Sequence, residues 1–172
     1  MNFLKNTKGQ AIVESIIALS VLTVGFLSLI ALMSNAIGLS KVNSEYYVAT
    51  YLAAEGIEVV KNIIDTNVMT SGISWNQYLN DGLYEVEYNT QGSELSSKKI
   101  NDPRVSRYLN FDFNPNNRTY NYSTGERTPF RRVIRIDNIN SNHIKVKSTV
   151  FWTSRGGAQF QVDLEDHFYN SF

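Results

Sequence analysis

The chain has 172 residues, with Lys+Arg and Asp+Glu balanced at 16 each, so its overall charge does not point to a nucleic-acid binder. Cysteine is absent, which excludes disulfides and cysteine-based metal or redox sites without fixing the compartment. The apolar content is uneven: a long uncharged run fills the first part, and Asn, Ser, Tyr and Gly with scattered charge fill the rest. That pattern reads as a membrane-type helix followed by a polar, sheet-forming domain.

The chain begins MNFLKNTKGQAIVESIIALSVLTVGFLSLIALMSNAIGLS, and residues 15–40 carry no charge. A helix needs about 20 apolar residues to cross the hydrocarbon, and Gly25 and Gly38 are tolerated in such a helix. A buried core helix seldom stays uncharged on every side for so long. The basic start, Lys5 and Lys8, suits a cleaved signal peptide, but the apolar run far exceeds the usual length of about 7–15 residues. Ser34-Asn35-Ala36 offers a small-residue cleavage site only after that overlong segment. Lys5 and Lys8 before the span, with only Lys41 close behind it, predict one inner-membrane pass with a cytoplasmic N-terminus. Glu14 is the anomaly. A carboxylate inside hydrocarbon costs a few kcal/mol and is usually kept for a partner or a task. At headgroup level it costs little, and position alone leaves both readings open.

Lys8-Gly9-Gln10-Ala11-Ile12-Val13-Glu14 resembles the processing site of type IV prepilins. The resemblance implies a basic leader, residues 1–9, cut after Gly9 by a membrane-embedded prepilin peptidase. It also implies methylation of the new N-terminus at Gln10, and Glu14 as the fifth mature residue. Major pilins usually begin with phenylalanine, so Gln10 argues against a major subunit. The implied partners are the peptidase/methylase, inner-membrane lipid before assembly, and other pilins through the N-terminal helix. In such an assembly an ionised Glu14 can pair with the ammonium at Gln10 of a neighbouring subunit. Low dielectric strengthens that pair and penalises an unpaired carboxylate, so Glu14 would set the axial register.

The helical pattern continues through KVNSEYYVATYLAAEGIEVVKNIID. Val48, Leu52, Val59 and Ile63 keep to one broad face, Glu58 and Lys61 support one another weakly, and Asp65-Thr66-Asn67 suggests an end. Residues 10–40 form the transmembrane and filament-core half, and 41–65 an extramembranous stem. Together they make about 56 residues and about 84 Å at ~1.5 Å per residue. Gly25, Gly38 and Gly56 are candidate weak points. YLAAEGIEVVKNIID is similar to the matching stretch of minor pilin-like proteins of the pilus modification type.

Residues 66–172 read as a globular domain. Residues 66–80 suggest a loop with short helical turns, Trp75 and Tyr78 covering the stem. Residues 82–90, GLYEVEYNT, suggest a first strand. Residues 91–128 are polar and read as a surface excursion of the kind that carries specificity. Within it, Tyr108, Leu109, Phe111 and Phe113 are expected to form a strand or to pack a loop. Three consecutive antiparallel strands follow at 130–137, 143–153 and 158–166. The second puts Ile144, Val146, Ser148 and Val150 on one face, and the third alternates Phe160, Val162 and Leu164 with polar residues. Arg155-Gly156-Gly157-Ala158 fits a tight turn between them. FRRVIRI, VFWTSRGG and FQVDLEDHFYN resemble the C-terminal part of the same minor pilin-like group. The expected fold is α+β and pilin-like: a long N-terminal helix packed on a C-terminal antiparallel sheet.

The chemistry-bearing residues are sparse. His143 and His167 have no histidine at ligand spacing, and His167 with Glu165 and Asp166 falls short of the three or four converging ligands a metal needs. No hydrolase, metalloprotease or phosphate-loop motif occurs, so neither an enzyme nor a cofactor is expected. Arg127, Arg131, Arg132, Arg135, Lys145, Lys147 and Arg155, interleaved with Phe130, Phe151 and Trp152, match the recipe for single-stranded nucleic acid. A solvated basic sheet face near Asp137 and the acidic strand 163–166 weighs more, so DNA is left open but not favoured. The expected function is that of a structural minor pilin or pseudopilin in a type IV pilus-like filament, at or near its tip. The alternatives are a type II secretion pseudopilin and a single-pass anchored binding module. Many type II secretion pseudopilins bind calcium in a C-terminal loop, and DLEDHFYNSF shows acids without a cage, which favours the pilus.

Overall fold

The structure, a computed structural model, describes residues 7–115, 118–154 and 157–170. The leader expectation for residues 1–6, Lys5 included, and the Arg155-Gly156 half of the expected turn lie outside the described residues. The chain divides into two compact units, Met1–Ser44 and Glu45–Phe172, and helix α1 (Thr7–Met69) contributes to both.

In the first unit, every residue from 9 to 41 is exposed. Several hydroxyls in this apolar stretch fold back onto the helix. Ser15 Oγ donates to Ala11 O at 2.8 Å, Ser20 Oγ to Ile17 O at 2.7 Å, and Ser28 Oγ to Val24 O at 2.8 Å. These bonds back to the backbone satisfy those hydroxyls, as a hydrocarbon solvent requires, whereas Ser34, Asn35 and Ser40 near the far end of the stretch hold no side-chain hydrogen bond among the described residues. The helix is long and apolar enough to cross a membrane.

In the second unit, residues 45–69 of α1 pack on an antiparallel sheet, the α+β arrangement expected. The sheet comprises β1 (Gly82–Tyr84), β2 (Lys99–Ile100), β3 (Tyr108–Phe111), β4 (Tyr120–Asn121), β5 (Glu126–Asn140), β6 (His143–Thr153) and β7 (Gln159–Tyr169). The long strand β5 organises it. One edge pairs with β6 from Arg131 to Asn140. Its other edge takes β3 and then β1 in succession, Tyr108 opposite Arg131 and Tyr84 opposite Ile134. β2 extends β1, β4 extends β3, and β7 closes the far side on β6.

The expected faces hold for β6, where Ile144, Val146, Ser148, Val150 and Trp152 are buried and the residues between them are not. The turn into β7 is closed by Ser154 N donating to Ala158 O at 3.0 Å, with Gly157 at φ +79°, a value that suits glycine.

Several boundaries differ from expectation. α1 runs to Met69 rather than Asp65, because Asn67 is not a helix end: it is buried, and its Nδ2 donates to Trp75 O and Gln77 O. β1 stops at Tyr84 rather than Thr90. Glu85 leaves the ladder to bind Arg107 through its backbone N and Nε, and the Val86 carbonyl accepts from Arg132 at 2.7 Å. β5 begins at Glu126, where β3 pairs with it. β7 runs on to Tyr169, with Phe168 packed against the core. The stretch 91–128 is not a plain surface excursion. It holds 3-10 turns at Gly92–Lys98 and Pro103–Val105 and the strands β2, β3 and β4, and it buries Leu95 and Leu109 completely.

The core is divided in two. Val59, Val60, Ile63 and Ile64 of α1 meet Trp75, Tyr84, Ile134, Ile136 and Val146 in one cluster. Ala49, Leu52 and Ala53 meet Leu109, Phe130, Val150 and Trp152 in the other. Between them, on the inner sheet face, sit Arg132 and Ser148, opposite Gly56. Arg132 is 0 % exposed. Its Nη1 donates to Leu52 O at 2.8 Å and lies 3.2 Å from Glu55 Oε2. A charge this deep is tolerated only when paired and hydrogen-bonded.

Candidate functional site

The residues singled out by sequence, Gly9, Gln10 and Glu14, lie on one face of α1, bordered by Val13 and Ile17. All are exposed. A Cβ built on Gly9 would meet nothing within 4 Å, so nothing among the described residues demands glycine there. Glu14 holds no ion pair or hydrogen bond among the described residues. The next charge along the helix is Lys41. Among the described residues the first unit therefore presents an exposed apolar helix with one acid near its start. A lone carboxylate so placed is stable in water or at a headgroup, and in hydrocarbon it needs a counter-charge.

The basic region of the second unit is rearranged relative to the sequence reading. Arg132 points into the core, and Phe130 and Trp152 are buried with it, so three of the interleaved groups are withdrawn from any nucleic acid. The alternation of β5 and β6 causes this, since 130, 132 and 152 share the inner face. Lys145 lies 3.9 Å from Asp137 Oδ2, and Lys147 3.2 Å from Asp163 Oδ2. Burial works against the Asp163 charge, but hydrogen bonds from Thr149 and Lys147 outweigh it and hold the carboxyl below its usual range. Arg127 and Arg131 both stand over the ring of Tyr108, at 3.7 and 5.4 Å, so that ring is already faced by cations. Arg155 lies outside the described residues.

The two histidines do meet, through strand register. His143 and His167 lie diagonally across β6 and β7, and His143 Nε2 shares a hydrogen bond with His167 Nδ1 at 2.7 Å. His143 stacks on Tyr169 at 4.4 Å, and His167 Nε2 is 3.3 Å from Glu165 Oε1. Only the pairing of His143 with Tyr169 brings these groups together, and the sequence does not spell out that register. Among the described residues no group of three or more His, Asp or Glu side chains is arranged to hold a metal. Sequence reasoning also missed Arg132. Its sole signal was an arginine at an inward-facing strand position, two residues from Phe130 and two from Ile134.

No protein-family model, no curated protein and no solved structure matches this chain.

Proposed function

We propose that the chain is a type IV pilin-like subunit, a minor pilin or pseudopilin. In this reading it is processed after Gly9, methylated at Gln10, held in the inner membrane by α1 with its N-terminus cytoplasmic, and drawn into a filament through that helix. The observation that carries the reading is the Lys8-to-Glu14 motif at the head of an apolar helix left uncovered by the described residues. Three features support it. Glycine at position 9 has no packing reason among the described residues, which suits a residue kept for a peptidase. The apolar surface of residues 15–40 needs lipid or other helices to cover it. Glu14 sits four residues from the amine that cleavage would create, with no counter-charge of its own. The second unit then serves as the outward-facing body of the subunit.

The test is to co-express the chain with a prepilin peptidase and determine intact mass and N-terminal sequence. The expected product lacks residues 1–9 and begins with a methylated Gln10. An intact leader, or cleavage near Ala36, overturns the proposal.

A further inference from the structure

We propose that the second unit binds a neutral saccharide in the cleft where the end of α1 meets the loop carrying Tyr78 and the start of the first 3-10 turn. The cleft has a volume of about 430 Å³, within the range of about 300–1,000 Å³ typical of small-molecule sites. In a chain with 19 % charged residues, its lining holds no carboxylate, ammonium, guanidinium or imidazole. It is built instead from amides and hydroxyls around one aromatic ring, with Ile63 and Ile73 as its aliphatic part. Asn62, Gln91 and Ser93 contribute side chains that hold no hydrogen bond among the described residues.

The ring is placed by unusual backbone. Tyr78, at φ +73°, is the one non-glycine residue among the described residues with positive φ. Such a conformation costs on the order of 1–3 kcal/mol and persists where its surroundings impose it. Tyr78 is 40 % exposed. A Cβ at Gly92 would stand 2.8 Å from Tyr78 Cδ2 and 3.0 Å from Ile63 Cγ2, so glycine is what lets the ring lie down beside α1. The support is fixed too. Buried Asn67 ties Trp75 O and Gln77 O, immediately before Tyr78. Thr90 Oγ1 accepts from Glu87 N at 2.8 Å and fixes the turn that delivers Gln91.

A phenol ring with an apolar body and a polar tip, flanked by uncommitted amide and hydroxyl groups, matches the two faces of a sugar: C–H groups for the ring, hydroxyls for the polar rim. An anionic ligand would find no cation in the cleft, and a purely apolar one would strand the amides. None of Gly9, Gln10 or Glu14 lines this cleft.

Saturation-transfer NMR on the full chain tests this, in phosphocholine micelles so that no alkyl glycoside competes. The probes are cellobiose, maltose, lactose and N,N′-diacetylchitobiose, with digalacturonic acid and sialyllactose as acidic comparators. At least one neutral disaccharide should receive saturation. Its signal should fall about fivefold or more in Tyr78→Gly, which keeps the backbone conformation, and in Gln91→Ala. Those losses match a ring contact or a hydrogen bond. Arg127→Ala, on the sheet, should change nothing. Gln91 is exposed and caps nothing with its side chain, so its variant keeps the test valid if the Tyr78 loop is disturbed. Silence from every neutral probe, acidic sugars binding as well as neutral ones, or undiminished transfer in Gln91→Ala each overturns the proposal.

Discussion

Gly56 and Arg132 show how a single residue changes meaning once its partners are known. In the sequence Gly56 sits mid-helix, where glycine costs about 1 kcal/mol relative to alanine, and it reads as a weak point. In the fold it is a point where α1 lies close against the sheet. An added Cβ would stand 2.5 Å from Ile134 Cδ1, 2.7 Å from Ser148 Oγ and 3.1 Å from Arg132 Cδ. Ile134, Ser148 and Arg132 are all fully buried, so none can swing aside into solvent. Gly25 and Gly38 have nothing within 4 Å, so three glycines of one helix carry two different reasons. Gly56→Ala therefore sets a helix gain of about 1 kcal/mol against overpacking of about 1–3 kcal/mol. The net expectation is a loss of about 1 kcal/mol, read as a lower urea midpoint with unchanged slope. A raised midpoint would show that helix and sheet separate without cost there. The contact joins residues far apart in sequence, so no local pattern could have announced it. The same holds for Arg132, which looked like part of a basic surface until the inner face of β5 claimed it.

Strand β1 is only three residues long and depends on anchors at its ends. Asp81, just before it, accepts from Asn138 N at 2.6 Å and from Asn138 Nδ2 at 2.9 Å, pinning β1 to the end of β5. The backbone hydrogen bond first, and the side-chain bond second, hold the Asp81 carboxyl below its usual range. The sign follows from proton linkage. The folded state binds its proton less readily than the unfolded chain, so the contribution is complete above the ordinary aspartate value of about 3.9. It is lost as pH falls through the lower folded value. Because the site is solvent-screened, about 1 kcal/mol is expected at neutral pH. Asp81→Asn should lower neutral-pH stability by about that amount and flatten the stability profile below about pH 4. A profile unchanged in shape would count against the anchor. β6 was the most legible element because it is long and alternates cleanly between buried and less buried residues, and β7 follows the same period more weakly, with Val162 buried and Phe160, Leu164 and Phe168 half-buried. β1 was overread because Glu85 and Val86 look like strand residues yet serve Arg107 and Arg132. Between 91 and 121 the strand-or-loop expectation at Tyr108 to Phe113 is met by β3, but two-residue strands such as β2 and β4 carry no period and were unreadable. The end of α1 was misplaced because Asn67, a residue typical of helix ends, is buried in use as a hydrogen-bond donor.

At the scale of the whole molecule the two units obey different solvents. The second buries a core between α1 and the sheet and leaves scattered apolar residues such as Tyr51, Met69 and Val105 exposed, whereas the first displays Ile, Leu, Val and Phe along its entire described length. In the proposed reading, burial of that surface comes from lipid or from other helices, because the described residues leave it uncovered. The spacing of Gly9, Gln10 and Glu14 is an expectation from sequence, and the fold adds that they share a face and that Glu14 has no partner among the described residues. If Glu14 pairs with the amine of a neighbour, removing it leaves that amine buried without a counter-charge, a loss that can reach several kcal/mol. Glu14→Ala should leave membrane insertion intact, since it only makes the helix more apolar. It should reduce recovery in sheared filament fractions by about tenfold or more, the factor that about 1.4 kcal/mol already produces. Glu14→Gln separates charge from shape: it keeps the size and a hydrogen-bonding tip but cannot neutralise an ammonium, so it should fail nearly as badly as alanine. Incorporation of both variants at the level of the unchanged chain would remove the register role and favour a membrane-anchored module that never enters a filament.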